Sequence, residues 1–275
     1  MRLTISIVVF KSDPVLFAAT LQSLEVAVCY AKSRIHSLTV ALCIIENENV
    51  QRRNLEQVKE FIKHTRGGFD CVDLKAVGVN LGYGRGHNLT INSQTSDFHL
   101  VLNPDVSVSE TALYEGVSYL ARHPRVVLLT PKVVDKNGDN LFPCKRYPAL
   151  LDLALRGFAP LWLKRWFARR LSHYEMRELE GKTEPVPGVE IVSGCYMLAR
   201  TEAIAAIEGF DERFFLYFED FDLSLRMRSV GELVYLPSMQ IAHYGGNTAK
   251  KGLRHIALFA QSAWKFSQRH GWRWL

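Results

Sequence analysis

Asn103-Pro104-Asp105 follows directly on the apolar run His99-Leu100-Val101-Leu102. A carboxylate at the mouth of a strand can hold Mg²⁺ or Mn²⁺ against a diphosphate, and it serves equally as a turn or capping residue. Upstream, Glu46-Asn47-Glu48-Asn49 closes another apolar run ending at Ile45; its acceptor atoms suit a base or ribose as well as a solvated turn. Between them lies Asn80-Leu81-Gly82-Tyr83-Gly84-Arg85-Gly86-His87-Asn88. Its glycines permit positive φ and close backbone approach, and Arg85 suits a phosphate. The loop lacks a GK[ST] ending and departs from GxGxxG, so a tight structural turn explains the glycines equally well.

The most distinctive group is Phe214-Phe215-Leu216-Tyr217-Phe218-Glu219-Asp220-Phe221-Asp222-Leu223, where three carboxylates interleave with aromatics. Carboxylates in apolar company are costly to bury unless paired or used. At a helix start they also favour the helix dipole, and Asp222 stands i,i+4 to Arg226, which reads as structural. Ile241-Ala242-His243-Tyr244-Gly245-Gly246 sets a histidine beside two glycines, and a lone histidine is more often structural than a metal ligand.

These groups need elements to position them. Ile5 to Phe10 is a short β-branched run, and Ser12-Asp13-Pro14 starts a helix in which Leu16, Ala19, Thr20 and Leu24 recur at helical spacing. Strands are predicted over Leu38 to Ile45, Val72 to Val77, Phe98 to Leu102 and Val126 to Leu129, and helices over Leu55 to Ile62 and Ala112 to Leu120. The alternation predicts an α/β sheet of mainly parallel strands, with ligands beyond their carboxyl ends. Further on, Lys136-Asn137-Gly138-Asp139 is a hairpin-type turn and Glu184 to Gly188 a connector. A strand over Ile191 to Ala199 leads into a helix from Thr201; a helix near Phe218 and a strand over Leu233 to Leu236 follow.

The 275 residues are 48% hydrophobic, enough for a substantial core without disulfides. Five cysteines (Cys29, Cys43, Cys71, Cys144 and Cys195) without CxxC spacing point to reduced thiols in a cytosolic setting. MRLTISIVVFKSDP reads as strand and turn rather than signal peptide, and no uninterrupted apolar run reaches the roughly 18 residues of a membrane span. A net charge of +6 suits nucleic acid, anionic lipid or a phosphorylated small molecule. Nucleic acid is not expected, because there is no zinc-finger or RNP-like pattern and the basic residues cluster with tryptophan.

Taken in order, ISIVVF, the strand-end IEN, NLGYGRGHN, LNPDV, SGCYMLAR, GFDERFFLYFEDFDLSLR and the late His243 resemble glycosyltransferase family 2, in its bacterial rhamnosyltransferase-like branch. The runs cover residues 5 to 248, nearly the whole chain, and the GFDERFFLYFEDFDLSLR string is the most specific. The resemblance implies a GT-A fold, a Rossmann-like, mostly parallel central sheet flanked by helices. It divides the chain into a nucleotide-sugar-binding half over 1–132, an acceptor-binding, catalytic half over 133–248 and a basic aromatic C-terminal helix over 249–275.

The implied reaction is inverting transfer of rhamnose from dTDP-rhamnose to a hydroxyl of a cell-surface or lipid-linked glycan. The alternatives are galactofuranosyl or hexosyl transfer from a UDP-sugar, and a non-catalytic nucleotide-sugar-binding module. Asp220 is then the catalytic base and Glu219 binds acceptor. Phe10, Glu46, Asn47, Gly82, Arg85, Asn88 and Asn103 contact the donor, and Asp105 and His243 hold Mg²⁺ or Mn²⁺. The chain departs from the family in having Asn103 for the first carboxylate of the DxD motif and Glu46 for the usual aspartate. Such a transfer needs one carboxylate to take the hydroxyl proton and charge neutralisation for the leaving diphosphate, with no second, nucleophilic carboxylate.

Residues 156–177 mix Arg156, Lys164, Arg165, Arg169, Arg170 and Arg177 with Trp162 and Trp166; the tail beyond Asn247 mixes Lys265, Arg269 and Arg273 with Trp264, Trp272 and Trp274. Such stretches suit an anionic membrane interface, here the cytosolic face of the bacterial inner membrane, or a helix packed on the domain with its basic face in water.

Overall fold

Leu3 to Val9 are buried on both faces of β1 (Arg2–Val9), as a central parallel strand requires. The computed structural model describes residues 1–47, 60, 68–92, 95–245 and 253–274. Glu48, Asn49 and most of the helix expected over Leu55 to Ile62 lie outside them. β2 (Thr39–Glu46) and β3 (Cys71–Ala76) extend the sheet in parallel on one side of β1, and β4 (Phe98–Leu102) on the other.

The chain then forms β5 (Val106–Val108), β6 (Val126–Val134), β7 (Cys144–Lys145), β8 (Val186–Pro187), β9 (Ile191–Val192), β10 (Tyr196–Arg200) and β11 (Glu232–His243). Among the described residues the main sheet runs β3-β2-β1-β4-β10-β6-β11-β5, with β8 beside β11, while β7 and β9 pair separately. The expected parallel pairing holds through β4 and again between β6 and β11; β10 is antiparallel to both neighbours and joins the halves. The strand expected over Ile191 to Ala199 is two, broken at Ser193-Gly194-Cys195. β11 runs on past Leu236, through an irregular register near Pro237, to His243.

The helices are α1 (Pro14–Arg34), α2 (Tyr83–Ile91), α3 (Ala112–Arg122), α4 (Leu150–Phe158), α5 (Leu161–Trp166), α6 (Ala168–Tyr174), α7 (Thr201–Ala206), α8 (Glu219–Met227) and α9 (Leu253–His270). Asp13 caps α1, accepting from Val15 N at 2.8 Å, with Pro14 at the first position. α1 is long and apolar enough to pass for a membrane span by length and hydropathy, but Phe17, Leu21, Leu24, Ala27, Val28 and Ala31 are buried in the domain core.

Beneath the sheet, Ser6 Oγ lies 2.7 Å from His87 Nδ1 and 2.8 Å from His99 Nε2, so one hydroxyl links α2 to β1 and β4. Burial holds His87 well below its ordinary pKa and His99 down to about 3, so both rings are neutral links rather than charges. Cys43, Cys144 and Cys195 are buried free thiols whose pKa burial pushes up to about 11, 12 and 11, which suits inert packing.

Candidate active site

The turn after β4 is held from below by α1. Thr20 Oγ1 donates to Pro104 O at 2.9 Å and accepts from Val106 N at 3.1 Å. Antiparallel pairing of β5 with β11 sets Val106 opposite His243, and Tyr244 N donates to Asp105 O at 3.0 Å. His243 Nε2 is thereby brought 3.2 Å from Asp105 Oδ1 and 3.4 Å from Asn103 Nδ2. Asp105 Oδ1 is buried and accepts no well-aligned hydrogen bond among the described residues. A Cβ on Gly245 would fall 1.9 Å from Asp105 Oδ2, so glycine keeps space open there. A carboxylate oxygen in want of a partner, a neighbouring imidazole and open space fit a divalent cation that draws its remaining ligands from water and substrate phosphates. No group of three or more His, Cys, Asp or Glu side chains placed to hold a metal occurs among the described residues, so the protein itself would supply few ligands.

The second carboxylate group is held by strained backbone. Tyr217 and Phe218 both take left-handed conformations, φ 70° and 65°, immediately before α8. Each such residue costs about 1–3 kcal/mol and persists only where its surroundings over-determine it. Here Phe218 is buried against Phe221, Phe259 and Phe266, with ring centroids 5.2, 5.1 and 5.3 Å away. Asp220 Oδ2 accepts from Gly194 N at 2.9 Å and Oδ1 from Phe221 N at 2.9 Å. Burial raises its pKa while those N–H groups oppose the rise. Glu219 is buried, its Oε2 has no partner among the described residues, and burial followed by the Asp220 charge pushes it up to about 8. Burial thus disfavours charge on both carboxylates, and the Gly194 and Phe221 N–H groups favour the ionised form at Asp220.

The two groups act on shared neighbours. The Tyr83 hydroxyl, buried, donates to Gly194 O at 2.5 Å and feels the charges of Glu219, Asp220 and Asp105. Cys195, next along, feels both Asp220 and Asp105, and its carbonyl accepts from Asn103 N at 3.0 Å. The break between β9 and β10 thus bridges the Asp105 turn and the Asp220 helix. Sequence reasoning missed Tyr83 and Gly194 as site residues. Both lay inside quoted motifs, NLGYGRGHN and SGCYMLAR, which are the signal that pointed to them.

The remaining expected donor contacts spread over adjacent strand ends. Phe10 stands 43% exposed just past β1, with Lys11 Nζ 5.6 Å over its ring. Glu46 and Asn47 are buried at the end of β2; Asn47 Nδ2 donates to Gly82 O at 2.7 Å. Gly82 has φ +87°, and a Cβ there would meet Phe215 O at 2.3 Å, so this loop lies directly on the segment leading to Asp220. Gly84 and Gly86 are helical and serve packing: added Cβ atoms would meet Phe210 Cβ at 2.7 Å and Val8 Cγ2 at 2.8 Å. Arg85 pairs with Glu212 at 3.1 Å. The Asn88 amide is closed on Phe210, donating to its O at 2.8 Å and accepting from its N at 2.9 Å.

No protein-family model matches the chain. It is 30% identical over 217 residues to the N-acetylglucosaminyl-diphospho-decaprenol L-rhamnosyltransferase of Mycobacterium tuberculosis, covering 73% of this chain and 69% of that one. The chain belongs to glycosyltransferase family 2, in its rhamnosyltransferase-like branch. It is also 25% identical over 199 residues to Rhamnosyltransferase WbbL of Escherichia coli K12, covering 68% of each chain. Its fold is GT-A. GalNAc-T7 with UDP, GalNAc and Mn²⁺ superposes with a TM-score of 0.63 at 14% identity, over 92% of this chain and 44% of that one. Mannosyltransferase PcManGT from Pyrobaculum calidifontis with GDP-Man and Mn²⁺ gives 0.63 at 13%, over 98% and 65%.

In this glycosyltransferase the basic aromatic tail is largely a brace. α9 packs Phe259, Ala263 and Phe266 against Phe214, Phe218 and Phe221. Asp222, fully buried, accepts from Arg226 Nε at 2.7 Å, as its spacing predicts, and also from His270 Nε2 at 2.8 Å. Trp264 and Trp274 stay exposed on this helix and tail, as do Leu161, Trp162 and Trp166 on α5.

Proposed function

We propose that this chain is an inverting rhamnosyltransferase, using dTDP-rhamnose and a divalent metal to glycosylate a hydroxyl of a lipid-linked glycan. The observation that carries it is that Asp220, held by Gly194 N–H, and Asp105, beside His243, both act on Tyr83, whose hydroxyl donates to Gly194 O. Asp220 takes the acceptor proton while the oxygen attacks the anomeric carbon, and Glu219, still protonated, donates a hydrogen bond that orients the acceptor. Mg²⁺ or Mn²⁺ held by Asp105 and His243 would neutralise the departing diphosphate. Residues 1–132 then hold the donor, with Phe10, Glu46 and Asn47 nearest the nucleoside and Gly82 and Asn103 lining the way to Asp105; residues 133–248 hold the acceptor. Arg85 and Asn88 support the donor side through the segment they clasp. The name of the mycobacterial relative supports both the sugar and the lipid-linked acceptor.

A panel of nucleotide sugars with Mg²⁺ or Mn²⁺ tests this reading: dTDP-rhamnose is expected to turn over fastest, with the anomeric configuration inverted in the product. A preference for a UDP-sugar would replace the donor by the UDP-hexose alternative, and a retained configuration would refute the single-base chemistry.

We further propose peripheral contact with an anionic membrane through α5, whose Leu161, Trp162 and Trp166 are exposed beside Lys164 and Arg165. The protein should cosediment with anionic vesicles at low salt and release as salt rises; no binding at low salt would count against it.

A further inference from the structure

A cavity of about 490 Å³ opens in the acceptor half, apart from the Asp105 turn, and three arginines line it: Arg146, Arg170 and Arg273. Two acids share the lining, Asp152 and Glu190. Their roles are structural. Asp152 takes a fork from Arg170, at 2.6 and 3.2 Å, and Glu190 accepts from Tyr147 N at 3.1 Å. Arg146 donates to His173 O and Glu178. Arg273 forms no ion pair among the described residues and instead lies 4.2 Å over the Tyr147 ring, its charge open to a ligand.

An independent observation sits at the floor of the same cavity. Tyr174 is only 2% exposed, yet its hydroxyl has no hydrogen-bond partner among the described residues. A buried hydroxyl without a partner is destabilising unless a ligand or water completes it. That hydroxyl feels the charges of Arg156, Asp152 and Asp220. Leu150 N donates to Arg273 O at 2.9 Å, which fixes the tail so that Trp272 and Trp274 flank Arg273 and remain exposed.

The cavity therefore joins an unpaired guanidinium to an unpartnered buried hydroxyl that feels the charge of Asp220. We propose that it binds the diphosphate of a lipid-linked acceptor: Arg273 and Arg146 pair with phosphate oxygens, Tyr174 donates to one of them, the lipid leaves past Trp272 and Trp274, and the sugar extends to Asp220. Guanidinium groups suit this task through paired, charge-assisted hydrogen bonds. The assignment rests on the acceptor side of the proposed function, and adds to it the chemical group recognised and the residues that recognise it.

The test uses the full chain and geranyl diphosphate as probe, with chelator present so that metal-assisted binding at Asp105 does not contribute. Binding is read by calorimetry. Arg273→Glu, an exposed substitution, is expected to weaken the probe at least about tenfold, and Tyr174→Phe, which keeps the ring packed, about threefold or more. Both variants should keep wild-type affinity for dTDP with Mn²⁺. Equal probe affinity in wild type and Arg273→Glu would overturn the assignment, as would displacement of the probe by dTDP, which would put it in the donor site. Inorganic pyrophosphate binding as tightly as geranyl diphosphate would reduce the cavity to a general anion site and overturn the lipid assignment. Turnover with the nucleotide-sugar panel is measured on the same wild-type sample: no turnover with probe binding intact defeats the transferase reading alone.

Discussion

Asp220→Asn is expected to lower kcat by about 10²–10⁴, the range general-base catalysis contributes, while dTDP affinity stays at the wild-type value. The amide keeps the shape of the carboxylate and still accepts from Gly194 N–H, so the helix start should hold. What it loses is the capacity to take a proton. The same geometry sets the pH profile. A base works deprotonated, and burial raises the Asp220 pKa, so kcat/KM should rise through a limb above the ordinary carboxylate range. In the proposed role Glu219 works protonated, and burial with the Asp220 charge pushes its pKa up, so activity should fall on an alkaline limb as the proton leaves. In Glu219→Gln that alkaline limb should vanish while the acid limb remains. Near-normal turnover by Asp220→Asn removes it from the base role, and an alkaline limb persisting in Glu219→Gln removes the proton from Glu219.

Asp105→Ala is expected to lose metal-linked donor binding. With Mn²⁺ present, dTDP-rhamnose affinity should fall by about 100-fold or more, at the upper end of the roughly 10–100-fold cost of losing only an outer-shell partner. Chelator should weaken donor binding by wild type and change nothing further in the variant. Gly245→Ala tests the same site without removing a ligand: its Cβ would lie 1.9 Å from Asp105 Oδ2 and displace that carboxylate, so metal-linked donor binding should fall here too. Donor affinity in Asp105→Ala equal to wild type, with and without chelator, would contradict the assignment.

The strand ends that carry Asp105 and Glu46 were legible because buried parallel strands are written as short apolar runs; Phe98 to Leu102 matches its strand end to end. His243 was legible as a motif but not as a neighbour of Asp105. Its place depends on β11 passing an irregular register near Pro237 and pairing with β5, and pairing across more than 130 residues leaves no local period. The glycines of the Gly82–Gly86 loop were visible, but their purpose was divided: Gly82 for a left-handed turn against Phe215, Gly84 and Gly86 for close packing on Phe210 and Val8. Asp222 was read as a local brace for Arg226, and it is one; its second partner, His270, is 48 residues away and no spacing rule reaches it.

That second partner has a consequence for how the protein is made. A chain emerges from the ribosome N-terminus first, so Glu219–Met227 is synthesised before Leu253–His270. Until that helix arrives, Phe218 lacks Phe259 and Phe266, and the left-handed pair at Tyr217 and Phe218 is held without them. A nascent chain can therefore complete its nucleotide-side sheet while the acid pair is still unformed. Truncation before Leu253 should therefore leave the sheet able to form while the Glu219–Asp220 turn loses the aromatic support of that helix.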